Sequence, residues 1–442
     1  MAAMGLAGFF VLFIFSDEIS RLIGLKTSSM SIKATSFALI FVPLLAAYRG
    51  YFQGNNNMVP TAVSEIIEQL LRVAFGLLFA VLFIRGFGID GSVNEELTKA
   101  QLHSRGAAGA CMGASIGACG ALIFISHKYR KEPCIRSGGS IDRNKDILHE
   151  LLTISFPITL TAGVVSIVNL IDISIVQTQL LKLGYDYETS KSMFGELTGF
   201  AAPIVGIPLV LIQSIAISIL PAISADNKQN FNKSVKTKIE EALNMACLIY
   251  MPCAVGLFVL SEPILRLLYG SQIHAASPSV ACLKVYAVSF IFLSITTIAS
   301  SVLQSLGKQN ISTGFMLFGI IIKIALTWAL TGVASINVMG APLGTTAAYI
   351  IAAALDLLYL KKHTEYSGMI GSKLKAVTLA FFMGAIVKIV YIALDGFTGS
   401  GIALAASVAS GVAVYYTAGN YFSIIPRELI DLFINRLKRI RT

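Results

Sequence analysis

The sequence predicts an all-α polytopic membrane protein, and three observations carry that prediction. Hydrophobic residues make up 55% of the 442 and charged ones only 13%, whereas soluble domains carry roughly 25% charged residues. The mean hydropathy is +0.75. Apolar runs recur along the whole chain, many of them near the ~20 residues that a helix needs to cross about 30 Å of hydrocarbon. These runs are continuous and lack the alternation of outer-membrane barrel strands, so helices are the expected spanning element.

In order, about twelve spans are expected, near 2–16, 34–52, 60–86, 106–127, 150–180, 198–221, 241–260, 280–304, 311–333, 342–360, 374–395 and 399–418. The first has no positively charged leader and no small-residue cleavage site, so it reads as a bundle helix and not a signal peptide. Gln53, Gly54, Asn55 to Asn57 and Pro60 form a tight polar turn between the second and third spans. The third then holds Glu65, Glu68, Gln69 and Arg72 at spacings that put all four on one helix face. Glycines between Gly106 and Gly120 in the fourth span read as a small-residue packing face. Gly86, Gly88 and Gly91 satisfy G-x-G-x-x-G but follow a membrane helix instead of a strand, which argues against dinucleotide binding. Later spans place Asn169 and Asp172 in the fifth, Lys323 in the ninth, Asp356 in the tenth and Lys388 in the eleventh. The tail, 419–442, is amphipathic and basic and suits a membrane interface.

The net charge of +10 raises nucleic acid as a partner, but lysine and arginine gather in alternate loops. Loops 128–149, 223–239 and 361–374, Arg49 and the tail hold most of them, and the positive-inside rule assigns that set to the cytoplasm. No nucleic-acid partner is expected. The six cysteines and five histidines show no metal-ligand spacing, so no metal site is expected.

An internal repeat runs through the chain. FIFSDEISRL (Phe13 to Leu22) returns as FVLSEPILRL (Phe258 to Leu267), with Asp17 opposite Glu262. FQGNNNMVPT aligns with LQSLGKQNIST, placing Gln53 over Gln304 and Arg72 over Lys323. Gly106-Ala107-Ala108 is expected to match Gly340-Ala341-Pro342. The second copy begins with two helices that the first lacks, so the expectation is that two helices preceding the first copy are absent from this chain.

RGYFQG (Arg49 to Gly54), Pro60-Thr61-Ala62, and Glu68-Gln69 with Arg72 resemble the stage V sporulation protein B group. That group stands with the MurJ-type lipid II flippases in the superfamily that also holds the MATE drug exporters. The resemblance implies a fourteen-helix, two-lobe fold of which this chain supplies helices 3–14. Residues 1–127 would be helices 3–6 of the first lobe, 128–149 a basic cytoplasmic linker, and 150–363 helices 7–12 of the second lobe. Residues 373–418 would be an extra helix pair. It also implies a flippase for an undecaprenyl-linked saccharide, working by alternating access as a monomer in the bacterial cytoplasmic membrane, or a forespore membrane. No cofactor is implied beyond Na+, H+ or the membrane potential. An ion-coupled drug exporter is the first alternative, and a membrane-embedded glycosyltransferase or polymerase the second; no catalytic residues are expected.

Arg49, Glu65, Glu68, Arg72, Asn169, Asp172 and Lys323 are the expected cavity residues, because ionisable groups at membrane depth are costly and face cavities or protein interiors. Two readings stand for Arg72: a cation that meets substrate phosphate, or an i, i+4 partner of Glu68. Asp172 is read either as an ion-coupling acid or as the partner of a basic residue, and Lys323 needs an acid from another helix. Lys388 is read either as a structural-pair or snorkelling lysine or as lining a groove made by the last two helices, and Asp356 as an interfacial acid.

Overall fold

The computed structural model describes residues 2–22, 28–55, 57, 59–85, 99–131, 163, 166–228, 232–270, 277–364 and 370–422. The basic loop from 132 onward, most of the first half of the 150–180 span, the glycines at 86, 88 and 91, and the tail beyond 422 lie outside the described residues. Among the described residues every regular element is helical, as the composition predicts. Ten helices among the described residues are long and apolar enough to cross a membrane. Of the two remaining expected spans, the first is a shorter apolar helix and the fifth is described as helix over 166–182.

The chain divides into two compact units, Met1–Leu152 and Thr153–Thr442. The first contains α1 (Ala2–Ile14), α2 (Ser16–Leu22), α3 (Ser29–Ser36), α4 (Ala38–Gly54), α5 (Val59–Ile84) and α6 (Lys99–Lys131). Leu45 and Phe52 of α4 pack on Ala121 and Ile125 of α6 as the buried apolar centre. Tyr51 meets Tyr129 edge-on at 4.9 Å, so the α4–α5 turn and the basic end of α6 lie at the same end of this unit. The chain's large exposed apolar side chains, such as Leu77 at 67%, suit a surface that faces lipid.

The second unit contains α7 (166–182), α8 (Tyr187–Glu196), a π turn at Leu197–Ala201, α9 (Ala202–Lys228), α10 (Asn232–Val259), α11 (Ser261–Tyr269) and α12 (Pro278–Ser305). It continues with α13 (Gln309–Thr331), a 3-10 turn at Asn337–Met339, α14 (Gly340–Thr364), α15 (Ile370–Thr398) and α16 (Ser400–Tyr421). The span expected from 198 starts earlier, at Tyr187. Asp186 caps it by accepting from Thr189 N at 3.2 Å, satisfying a free amide of the first turn, and hydrogen bonds from the Thr189 side chain and then its backbone hold the Asp186 carboxyl below its ordinary range. Polar residues of α8 hide this first turn from any reading of apolar periodicity.

The repeat is visible as repeated geometry. Ser16 Oγ donates to Phe13 O at 3.1 Å, and Ser261 Oγ donates to Phe258 O at 3.2 Å, at aligned positions. Lipid offers no hydrophobic drive between helices, so close approach of small residues holds them together. A Cβ on Gly113 of α6 would fall 2.4 Å from Gly76 Cα and 2.6 Å from Arg72 O, and one on Gly344 of α14 would fall 2.6 Å from Thr327 Oγ1 and 3.0 Å from Lys323 O. Gly109 approaches Phe79 as Gly340 approaches Leu330. Arg72 and Lys323 are therefore equivalent, as predicted. The glycine pairing expected from sequence is corrected: Gly340 matches Gly109, and not Gly106. Small residues recur at nearly every helical turn here, so a slip of one turn leaves the sequence alignment looking equally good.

Candidate functional site

In the first unit, α4 and α5 form a hairpin, and residues equidistant from its turn face one another. Arg49 of α4 donates from Nε to Ser64 Oγ at 2.9 Å and from Nη2 to Glu68 Oε2 at 3.0 Å. Arg72, one turn beyond Glu68, donates from Nη2 to Glu68 Oε1. One carboxylate thus bridges two guanidinium groups, and the cluster carries a net positive charge. Glu68 is nearly buried, with its side chain 11% exposed, while that of Arg72 is 42% exposed. Arg72 Nε has no hydrogen-bond partner among the described residues. Thirteen residues of rise, about 20 Å, separate Arg72 from Val59, roughly the middle of a 26-residue helix. Glu65 is exposed and makes no ion pair among the described residues, so it stands apart from the cluster. Ser64 was missed from sequence, although the hairpin geometry that pairs 49 with 64 is readable from the turn position.

The second unit solves the same position differently. Lys323 Nζ lies 2.6 Å from Asp172 Oδ2, with the two side chains 11% and 12% exposed. The acid that Lys323 requires comes from α7, and of the two readings of Asp172 the structure forms the pair with a basic residue. Gln179 Nε2 donates to Trp328 O at 3.0 Å, a second polar tie between α7 and α13. Asp172 Oδ1 is buried without a partner among the described residues. Asn169 is exposed and does not join this pair.

Two expectations need correction. Asp356 is not an interfacial acid, since it is 0% exposed; its helix continues to Thr364 and packs on α12 and α13. Lys388 does not line a groove. An apolar cavity of about 710 Å³ does lie among α9, α10, α11, α15 and α16, but α15 contributes Met383 and Val387 to it, and Lys388, about 100° further round the helix, is exposed. Tyr415 is part of that lining, and its hydroxyl is buried without a partner among the described residues.

Among the described residues, ten helices long and apolar enough to cross a membrane, charged clusters packed among them and an apolar side cavity define a multi-pass membrane transporter. Residues 97–407 match the family described as Lipid II flippase MurJ, and the chain belongs to the MurJ family. It is 26% identical to the Lipid II flippase MurJ of Bacillus subtilis (strain 168), covering 98% of this chain and 82% of that protein. It is also 26% identical to Stage V sporulation protein B of the same organism, covering 88% of this chain and 72% of that one. Among solved structures, the inward closed conformation of Lipid II flippase MurJ superposes with a TM-score of 0.63 at 19% identity, over 97% of this chain and 82% of that chain. An inward-facing multidrug resistance MATE family transporter gives 0.63 at 13% identity, over 83% and 79%. These two likenesses concern the fold.

Proposed function

We propose that this chain flips a lipid-linked saccharide of the lipid II kind across the bacterial cytoplasmic membrane by alternating access, driven by an ion gradient or the membrane potential. The observation that carries the reading is the Arg49–Glu68–Arg72 cluster. A diphosphate head cannot enter hydrocarbon uncompensated, and guanidinium groups pair with phosphate through parallel donors. Glu68 neutralises one arginine and leaves the other in excess, with the Arg72 side chain 42% exposed. Lys323 is closed by Asp172, so its role in this scheme is to hold α7 to α13. The apolar cavity beside α15 and α16 suits the prenyl tail. A drug exporter would share the fold, but the family match favours the flippase.

The test is lipid II translocation in proteoliposomes. Arg72→Ala removes the excess cation and leaves Glu68 paired with Arg49, so no buried acid is stranded. Normal folding with translocation lost supports the reading. Translocation at the wild-type rate would overturn it and leave Arg72 as a packing residue.

A further inference from the structure

Among the described residues three acids are buried, and only two of them have a cation there. Glu68 has two arginines and Asp172 has Lys323; Asp356 has hydroxyl groups alone. Ser312 Oγ of α13 donates to Asp356 Oδ2 at 3.2 Å and shares a 2.6 Å hydrogen bond with Ser300 Oγ of α12. Ser300 also reaches the same carboxyl group. Oδ1 is buried with no partner among the described residues. α14 packs on α10, α12 and α13, and among the described residues none of these helices brings a charged or titratable side chain to act on Asp356. Lys361, Lys362 and His363 of its own helix are exposed, and the His363 ring stacks on Tyr359 at 4.0 Å.

A carboxylate wholly removed from water with no counter-charge is strongly disfavoured, and such a group neutralises itself. Two hydroxyls do not replace a counter-ion, and four oxygens, two of them from serine, fall short of the six or more that a hard metal cation gathers. We propose that Asp356 is a proton-binding site: a proton from water forms the O–H bond on Oδ1, and the neutral acid completes the contact among α12, α13 and α14. Releasing that proton requires water or a cation to reach Oδ1, which the packing seen here denies. Proton occupancy therefore favours this packed arrangement, and loss of the proton favours one in which the three helices open near their basic end. In transport, a use that rests on the flippase reading, the site would couple proton occupancy to the state of the second unit.

The experiment is infrared difference spectroscopy of the purified full chain across a pH titration, with thermal unfolding measured on the same samples. A protonated-carboxyl band present near neutral pH, lost in Asp356→Asn and kept in Asp172→Asn, is the expected result. Stability falls with rising pH where the folded state holds a proton that the unfolded state does not, and Asp356→Asn, which keeps an acceptor for Ser312, should flatten that slope. Absence of the band, or an unchanged slope in Asp356→Asn, overturns the proposal. So does stabilisation by sodium at fixed pH that vanishes in Asp356→Asn, since the site would then hold a metal cation. None of these readouts requires translocation, so failure of the flippase reading leaves them intact and separately readable.

Discussion

Lys323→Met perturbs the sealed ion pair of the second unit while keeping the side-chain length. The 2.6 Å separation, taken at an effective dielectric of ~20, corresponds to roughly 6 kcal/mol of attraction. Desolvation of both groups offsets much of it. Removing the lysine strands Asp172 in its 12% exposed site with neither oxygen paired among the described residues, where Oδ1 has no partner to begin with. Loss of one member of a buried pair costs about 3–5 kcal/mol, and Asp172→Asn should cost a similar amount by stranding the lysine. The double variant removes both charges and should recover most of the loss, so that it costs less than either single variant and far less than their sum. Thermal unfolding of the four purified proteins in one detergent reads this cycle. Additive single and double effects, or a single variant as stable as wild type, would show that the two groups do not act as a unit.

Three further outcomes follow from the geometry. Gly113→Val places a branched side chain where even a Cβ lies 2.4 Å from Gly76 Cα, so expression of folded protein should collapse, whereas Gly50→Ala, with nothing within 4 Å, should be neutral. A single cysteine at Lys362 in a cysteine-free background should resist impermeant reagent outside whole cells, and labelling there would invert the topology. Ser29 and Lys33 hold the Asp17 carboxyl below its ordinary 3.8. A lowered folded value means the anchor is fully present above 3.8 and is lost as pH falls through the lower value. Acid titration followed by proteolysis near α2 should show release only in that window, and Asp17→Asn should show it at neutral pH.

The sequence reveals helices better than it reveals partners. Apolar run length decides spanning, and lipid enforces it, so α5, α12 and α13 fall close to their expected limits. The i, i+4 pair of Glu68 and Arg72 is legible because helix geometry alone brings them together. Asp172 and Lys323 are far apart in the chain, and nothing in either helix names the other. Asp356 is misread for a related reason: its nearness to Lys361 and Lys362 suggests an interface, but burial depends on which face α14 turns toward α12 and α13. Lys388 fails on angle as well, since one residue of rotation separates it from Val387, which lines the cavity.

The two copies explain why their cations are neutralised from different directions. Glu68 sits against Gly117, whose missing side chain leaves room at Glu68 O, 2.6 Å from a built Cβ. The equivalent contact in the second unit has its residue sizes exchanged: Gly319 stands in place of Glu68, and Ala348 in place of Gly117. A Cβ on Gly319 would lie 2.8 Å from Ala348 O, so an acid one turn before Lys323 is sterically barred, and α7 supplies Asp172 instead. Moving the acid back onto α13 tests this. Gly319→Glu with Asp172→Asn offers Lys323 an i−4 partner but forces α13 and α14 apart, an overpacking cost of about 1–3 kcal/mol, and should be less stable than wild type. Adding Ala348→Gly lets the helices seat as α5 and α6 do at Glu68 and Gly117, and should recover part of the loss in thermal unfolding. A variant with Gly319→Glu and Asp172→Asn that melts at the wild-type temperature would show that close packing does not dictate where the acid sits.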